Sequence, residues 1–277
     1  SDSSFRATLA ADIARNGGRA LVFIHGYNTS FDKAVYRATQ IAHDAGYPGT
    51  PVLFTWASAG RVVDYVYDNN SATIARNALG DTLRLVASAG AKRIDIVAHS
   101  MGNWVTMEAL RQAAVQGDRN FGGRLGDVVL ASPDIDIDVF KSQLRDYGPP
   151  DRPFIVVTSA KDRALNISGF IAGRRRAGDY VDAKDMASYG VIVADLSNVG
   201  ARQHHAPCGG RRPDREFGRG RGDHHAGCRA SRRDRVVAAC RTFTRSACAI
   251  PACRPPSCGR EPGSRRTDAP RLPPRRS

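Results

Sequence analysis

An α/β fold, with a mostly parallel sheet covered by helices on both faces, is predicted by three observations. Short apolar runs rich in β-branched residues alternate with longer stretches of helical spacing. The alternation persists over six strand–helix units, which a parallel sheet with helical crossovers requires. Charge is nearly balanced through residues 1–200, as in an ordinary globular domain, and becomes strongly basic only afterwards.

The elements follow in order. Ala20-Leu21-Val22-Phe23-Ile24 has the length and branching of a buried strand. Phe31, Val35, Ala38, Ile41 and Ala42 recur at helical spacing across Phe31 to Ala45, and Asn28-Thr29-Ser30 supplies capping candidates before them. Val52 to Trp56 is the next strand. Ser71 to Ala87 is helical, with Ile74, Ala78 and Leu85 on one face, and Gly90 ends it. Ile94 to Ala98 is a strand, Met101 to Ala114 a helix and Asp127 to Ala131 a strand. Asp138 to Tyr147 is a short helix stopped by Gly148-Pro149-Pro150. Phe154 to Thr158 is a strand, Ala164 to Ile171 a helix and Val191 to Asp195 the last strand.

The order stops near Asn198. Residues 201–277 hold 19 Arg, no Lys and 6 acids, so nearly all of the net charge of +14 resides there. All six cysteines lie in this stretch, so disulfides do not hold the core together. Residues 1–200 are therefore read as the core and 201–277 as a disordered basic tail of low complexity. Its mixture of Arg, Pro, Ala, Gly and Cys is also what an out-of-frame reading of GC-rich coding DNA yields. No Cys-x-x-Cys pair occurs, and His224-His225 with the cysteines forms no ligand framework, so no metal and no cofactor is expected. Arg211-Arg212 and Arg232-Arg233 come without a base-reading module, which argues against specific nucleic-acid recognition and leaves only nonspecific polyanion binding. No apolar run is long enough to cross a bilayer. No signal peptide is visible, and the sequence starts at Ser1 rather than Met, so compartment stays open, as does oligomeric state.

The sharpest chemical signal is Ile94-Asp95-Ile96-Val97-Ala98-His99-Ser100-Met101-Gly102-Asn103-Trp104. A strand runs directly into Ser100 and a helix starts directly after it, the setting in which a nucleophilic serine is presented on a tight turn. Such a turn needs small residues two positions before and after, here Ala98 and Gly102. The Met101 amide then faces a developing oxyanion. Upstream, Ile24-His25-Gly26-Tyr27 ends a strand, and Gly26 lets the Tyr27 amide serve as the second donor. His25 is expected to brace this loop and His99 to pack beside the turn. Trp56 and Trp104 are expected in the core or a pocket wall, and His43 on the surface. Arg174-Arg175-Arg176 is expected in a solvated loop or at the rim of an anionic substrate's site.

Four segments occur in a fixed order: Phe23-Ile24-His25-Gly26-Tyr27-Asn28-Thr29-Ser30-Phe31, Phe54-Thr55-Trp56-Ala57-Ser58, His99-Ser100-Met101-Gly102-Asn103 and Ala131-Ser132-Pro133-Asp134-Ile135-Asp136. Together they resemble the bacterial alpha/beta-hydrolase family of unknown function, a branch of the esterase/lipase superfamily, over about residues 5–200. The resemblance implies the alpha/beta-hydrolase fold, a Ser–Asp–His triad, and a small-molecule or lipid ester as substrate. Triad order places the acid after a later strand and the histidine last. Asp162 fits, following a penultimate strand and matching the family's Ser-x-x-Asp-x-Ala-Leu pattern. Asp134 after the preceding strand is the alternative. The base must follow the last strand, where His205 stands ten residues beyond Asp195, as in the resembled family; His204 is its alternative. The rival reading is a non-catalytic binding or scaffold protein on the same fold.

Overall fold

The computed structural model describes residues 2–159, 176–179 and 182–196. The strands are β1 (Arg19–Ile24), β2 (Thr50–Phe54), β3 (Arg93–His99), β4 (Leu125–Ala131), β5 (Phe154–Thr158) and β6 (Val191–Asp195). The helices are α1 (Asp2–Arg15), α2 (Phe31–Asp44), α3 (Tyr65–Ser88), α4 (Gly102–Val115), α5 (Ile137–Tyr147) and α6 (Ala183–Ser188). The strands form one sheet in the order β2-β1-β3-β4-β5-β6, and every neighbouring pair is parallel. The alpha/beta-hydrolase architecture expected from the sequence is therefore present.

Alternation along the strands decides what each face buries. Ala20, Val22 and Ile24 of β1, with Ile94, Ile96 and Ala98 of β3, meet Leu9 and Ile13 of α1, Leu79 and Leu83 of α3, and Val105 and Leu110 of α4. Leu21, Phe23 and Val97 face the other way, toward Ala38 and Ile41 of α2. Helix α1 had no prior expectation attached to it. It is exposed almost all round and buries only Leu9 and Ile13, so it lacks the apolar stripe by which a helix is recognised. Helix α3 starts at Tyr65, six residues before the periodic stretch. Its first turns hold Tyr65, Val66, Tyr67 and two asparagines, weak helix formers, and are anchored instead by tertiary bonds of Tyr65 and Asp68. The predicted helix over Ala164 to Ile171 lies outside the described residues.

Under the sheet's helix-α2 face, Asp95 is buried at the start of β3. Its carboxylate accepts from Arg93 Nε at 2.7 Å, Arg19 Nη2 at 3.0 Å, the Tyr47 hydroxyl at 2.8 Å and the Asp127 amide at 2.8 Å. Burial by itself raises the carboxyl's pKa, but the Asp127 amide, the Arg93 charge and the Tyr47 and Arg19 bonds outweigh it and leave the value below the ordinary range. A depressed carboxyl contributes stability above its unfolded pKa of about 3.9 and loses it as pH falls through the folded value. We expect Asp95→Ala to cost about 2–3 kcal/mol at pH 7, because Arg19 and the Tyr47 hydroxyl lose their shared acceptor while Arg93 keeps Asp127. Urea midpoints at pH 7 and pH 3 should show the deficit shrinking in acid.

Candidate active site

Parallel strands deliver all their C-terminal ends to one edge. The chain leaves β1 for β2 on one side, then returns to β3 on the other, so a crevice opens at the C-terminal ends of β1 and β3, where open α/β sheets hold their ligands. Ile24 pairs with Ala98, which brings the residues after β1 level with those after β3.

Ser100 follows β3 directly and has φ +52°, a left-handed conformation that a non-glycine residue adopts only when its surroundings enforce it. Its amide donates to Ala131 O at 3.0 Å, and its carbonyl accepts from the Asn103 and Asp134 amides at 3.0 and 3.3 Å. The buried Asn103 side chain adds two bonds, from Nδ2 to Ser100 O at 2.8 Å and to Ala131 O at 2.9 Å. The turn is thus pinned from its backbone, while the side chain is partly exposed and its hydroxyl has no hydrogen-bond partner among the described residues.

Two close approaches explain the glycines. A Cβ on Gly102 would press on the His25 carbonyl oxygen and lie 2.8 Å from Ile24 O, both backbone atoms that no rotamer change can move. A Cβ on Gly26 would lie 2.9 Å from the Ser100 Cβ and 3.1 Å from His99 Nδ1. Gly102→Ala should therefore push the end of β1 away from α4, costing about 3 kcal/mol in urea unfolding. An unchanged midpoint would contradict so close a backbone approach.

The β1–α2 loop is held on both sides of Tyr27. His25 stacks on Trp56 with ring centroids 5.2 Å apart and planes 7° from parallel. The Trp56 indole donates to His25 O at 2.9 Å, and the Trp56 amide donates to His25 Nε2 at 3.2 Å. His25 thus braces the loop as expected, and burial lowers its pKa. Beyond Tyr27, Asn28 has φ +52° and donates its amide to Asp68 Oδ2 at 3.1 Å. The fully buried Asp68 also accepts from Ser58 Oγ at 2.7 Å and the Ala59 amide at 2.7 Å, joining two loops to α3. Among the described residues, neither the Tyr27 amide nor the Met101 amide donates to a protein acceptor.

His99 packs beside the turn. Burial, with the charge of Arg37 and the nearness of His25, draws its pKa down to about 3, so it is neutral at any ordinary pH. A cavity of about 600 Å³ lies between this loop and α2, with Phe23, Gly26, Tyr27, Tyr36, Arg37 and His99 in its wall.

The structure places Asp134 differently from a free loop carboxylate. It is 4% exposed, accepts from the Tyr65 hydroxyl at 3.0 Å, and pairs with Arg176 Nε at 3.3 Å. Burial and then Asp134 push the Tyr65 hydroxyl's pKa upward, so it stays a donor. Arg176, expected in a solvated loop or at a site rim, is instead 9% exposed and pairs with Asp134 across a β-bridge between Asp136 and its own backbone. Asp136 caps α5 through the Asp138 and Val139 amides. Asp162, His204 and His205 lie outside the described residues.

Asn103, Asp68 and Tyr65 were not singled out by sequence, and Arg176 was singled out only as part of an arginine run, not as the partner of Asp134. Asn103 sits in the segment around Ser100, and its fixed position one turn into α4 was a signal that could have marked it. Asp68 carried none: its partners Asn28 and Ser58 come from separate loops.

The family model described as alpha/beta hydrolase of unknown function (DUF900) matches residues 1–207. Among solved structures, the chain is similar to an esterase of Rhizomucor miehei, with 13% identity, 64% of each chain covered and a TM-score of 0.39. It is also similar to a lipase/esterase from Lactobacillus plantarum, with 18% identity, 64% of this chain and 75% of that one covered, and a TM-score of 0.37. Aspergillus fumigatus lipase B matches at 13% identity over 67% of this chain and 46% of its own, with a TM-score of 0.43. The chain spans about 64% of the length of the first of these. No curated protein matches the sequence. With three quarters of its length covered by that family model, its parallel six-stranded sheet and the crevice at Ser100, the chain belongs to the alpha/beta hydrolases of unknown function.

Proposed function

We propose that this chain is a serine hydrolase that cleaves ester or related acyl bonds, with Ser100 as nucleophile, Asp162 as acid and His205 as base. The observation that carries the reading is the Ser100 turn: a strained residue between strand and helix whose hydroxyl, like the Tyr27 and Met101 amides beside it, has no hydrogen-bond partner among the described residues. Attack of the Ser100 hydroxyl on an acyl carbon puts negative charge on the carbonyl oxygen. The Tyr27 and Met101 amides are the donors for that charge, and the start of α4 adds the favourable end of its dipole. His205 takes the serine proton and later returns it to the leaving group, and Asp162 orients the imidazole and stabilises its cationic form.

Asp162 is favoured over Asp134 on electrostatic grounds. The Asp134 charge is already compensated by Arg176, so it would stabilise an imidazolium less. The family match runs to residue 207 and so takes in His204 and His205, stopping where the Cys- and Arg-rich composition begins. That supports 1–200 as the working unit, with His205 just beyond and 201–277 otherwise outside it. The mostly apolar cavity beside Tyr27 suits an acyl chain or a compact ester.

A fluorophosphonate probe tests the nucleophile. Treatment of the full chain, followed by proteolysis and mass spectrometry, should place a single covalent adduct on the peptide bearing Ser100. No adduct, or an adduct on another serine, would overturn the assignment and favour a binding protein on a hydrolase fold.

A further inference from the structure

We propose that His25, as one fixed neutral tautomer, is a positioning residue that aims the Tyr27 amide into the space above Ser100. The proposal rests on the serine-hydrolase reading for its catalytic consequence, but its geometry is independent of that reading.

The tautomer follows from the partners. Gly26 O can only accept, and it lies 2.9 Å from His25 Nδ1, so Nδ1 carries the hydrogen. The Trp56 amide can only donate, and it lies 3.2 Å from Nε2, so Nε2 is bare. One neutral form satisfies both contacts. Protonation would set two N–H groups against each other at Nε2, and the alternative neutral form would break both bonds.

The consequence for Tyr27 comes from the planarity of the peptide unit. The Gly26 carbonyl and the Tyr27 N–H belong to the same trans peptide and point in opposite directions. Holding the carbonyl therefore sets the direction of the N–H. The ring that holds it is clamped by its stack on Trp56 and by the indole bond to His25 O. On the far side, Asn28 is locked in the left-handed region with its amide on Asp68. The peptide between these anchors has a glycine on its N-terminal side and no Cβ there to oppose rotation. The ring hydrogen bond is thus the contact that keeps the Tyr27 amide from turning away from Ser100.

Two amide variants separate the two ring nitrogens. H25N keeps an N–H near the place of Nδ1 and has no group at Nε2. H25Q reaches the place of Nε2 and leaves the Gly26 carbonyl without its donor. The readouts on the full chain are the fluorophosphonate reaction rate and the split of kcat from KM on a p-nitrophenyl ester, each per titrated Ser100. A long-range 1H–15N spectrum of histidine-labelled wild type reads the tautomer, with the His25 signal identified by its loss in H25N.

The expected spectrum is that of an Nδ1–H ring. H25N should react within about 5-fold of wild type. H25Q should be about 100-fold slower in kcat with KM within about twofold, the scale of losing one oxyanion donor. Equal rates for the two variants, or an Nε2–H ring, would overturn the proposal. A merely structural role would lower the titratable fraction of both variants and leave kcat per site unmoved. If wild type neither labels nor turns over ester, the serine-hydrolase reading fails, and the spectrum still decides whether the ring locks this peptide.

Discussion

Ser100→Ala is expected to abolish fluorophosphonate labelling and to reduce ester turnover by about 10⁶-fold, the scale at which loss of a triad nucleophile is felt. Residues 1–200 contain no cysteine that could take over. Stability should hardly change. The φ of +52° is imposed by bonds to the Ser100 backbone, from Asn103 and Asp134 and to Ala131, and an alanine keeps all of them. Serine and alanine also pay a similar penalty for that conformation. The discriminating result is the combination: lost turnover with an unshifted urea midpoint. Retained turnover would mean that the hydroxyl at this turn is not the attacking group.

The second large effect concerns the proton acceptor and its partner. His205→Ala should lower kcat by a factor approaching that of Ser100→Ala, because the two groups act as a unit. Asp162→Asn should lower it by about 10⁴-fold. His204→Ala and Asp134→Asn are the controls. Asp134→Asn should chiefly lower stability, since it leaves buried Arg176 without its counter-charge. Turnover lost in His204→Ala and kept in His205→Ala would transfer the base to the neighbouring residue. A histidine base works in its neutral form, so kcat/KM should rise with pH through a value near about 6.5. His99 cannot supply that limb, and any limb from His25 would lie at lower pH. Burial lowers the pKa of His25, and His99 is held at about 3. The acidic limb should accordingly vanish only when the true base is replaced.

The six strands were legible because period and branching are local properties, and their predicted limits fall within two residues of the observed ones. The Ser100 junction was legible for the same reason: strand, small residue, serine, small residue and helix follow one another within eleven positions. Gly102 shows why the pattern exists, since only a residue without Cβ fits against the end of β1. Helix α1 was not legible because it buries only Leu9 and Ile13 and so shows no apolar stripe, and the first turns of α3 were not because bonds to distant residues hold them rather than propensity.

The sequence by itself determined the fold class, the edge at which chemistry can occur and the residue standing at its sharp turn, because each is written in spacing along the chain. Only the tertiary structure decided that Asp134 is spent on Arg176 and Tyr65, that Asp68 ties two loops to α3, and that the ring of His25 is held by Trp56 and Gly26. Most of those partners lie ten to more than forty residues apart. Pairing over such distances leaves no local periodicity, and which donor meets which acceptor is fixed only when the packed sheet brings them together.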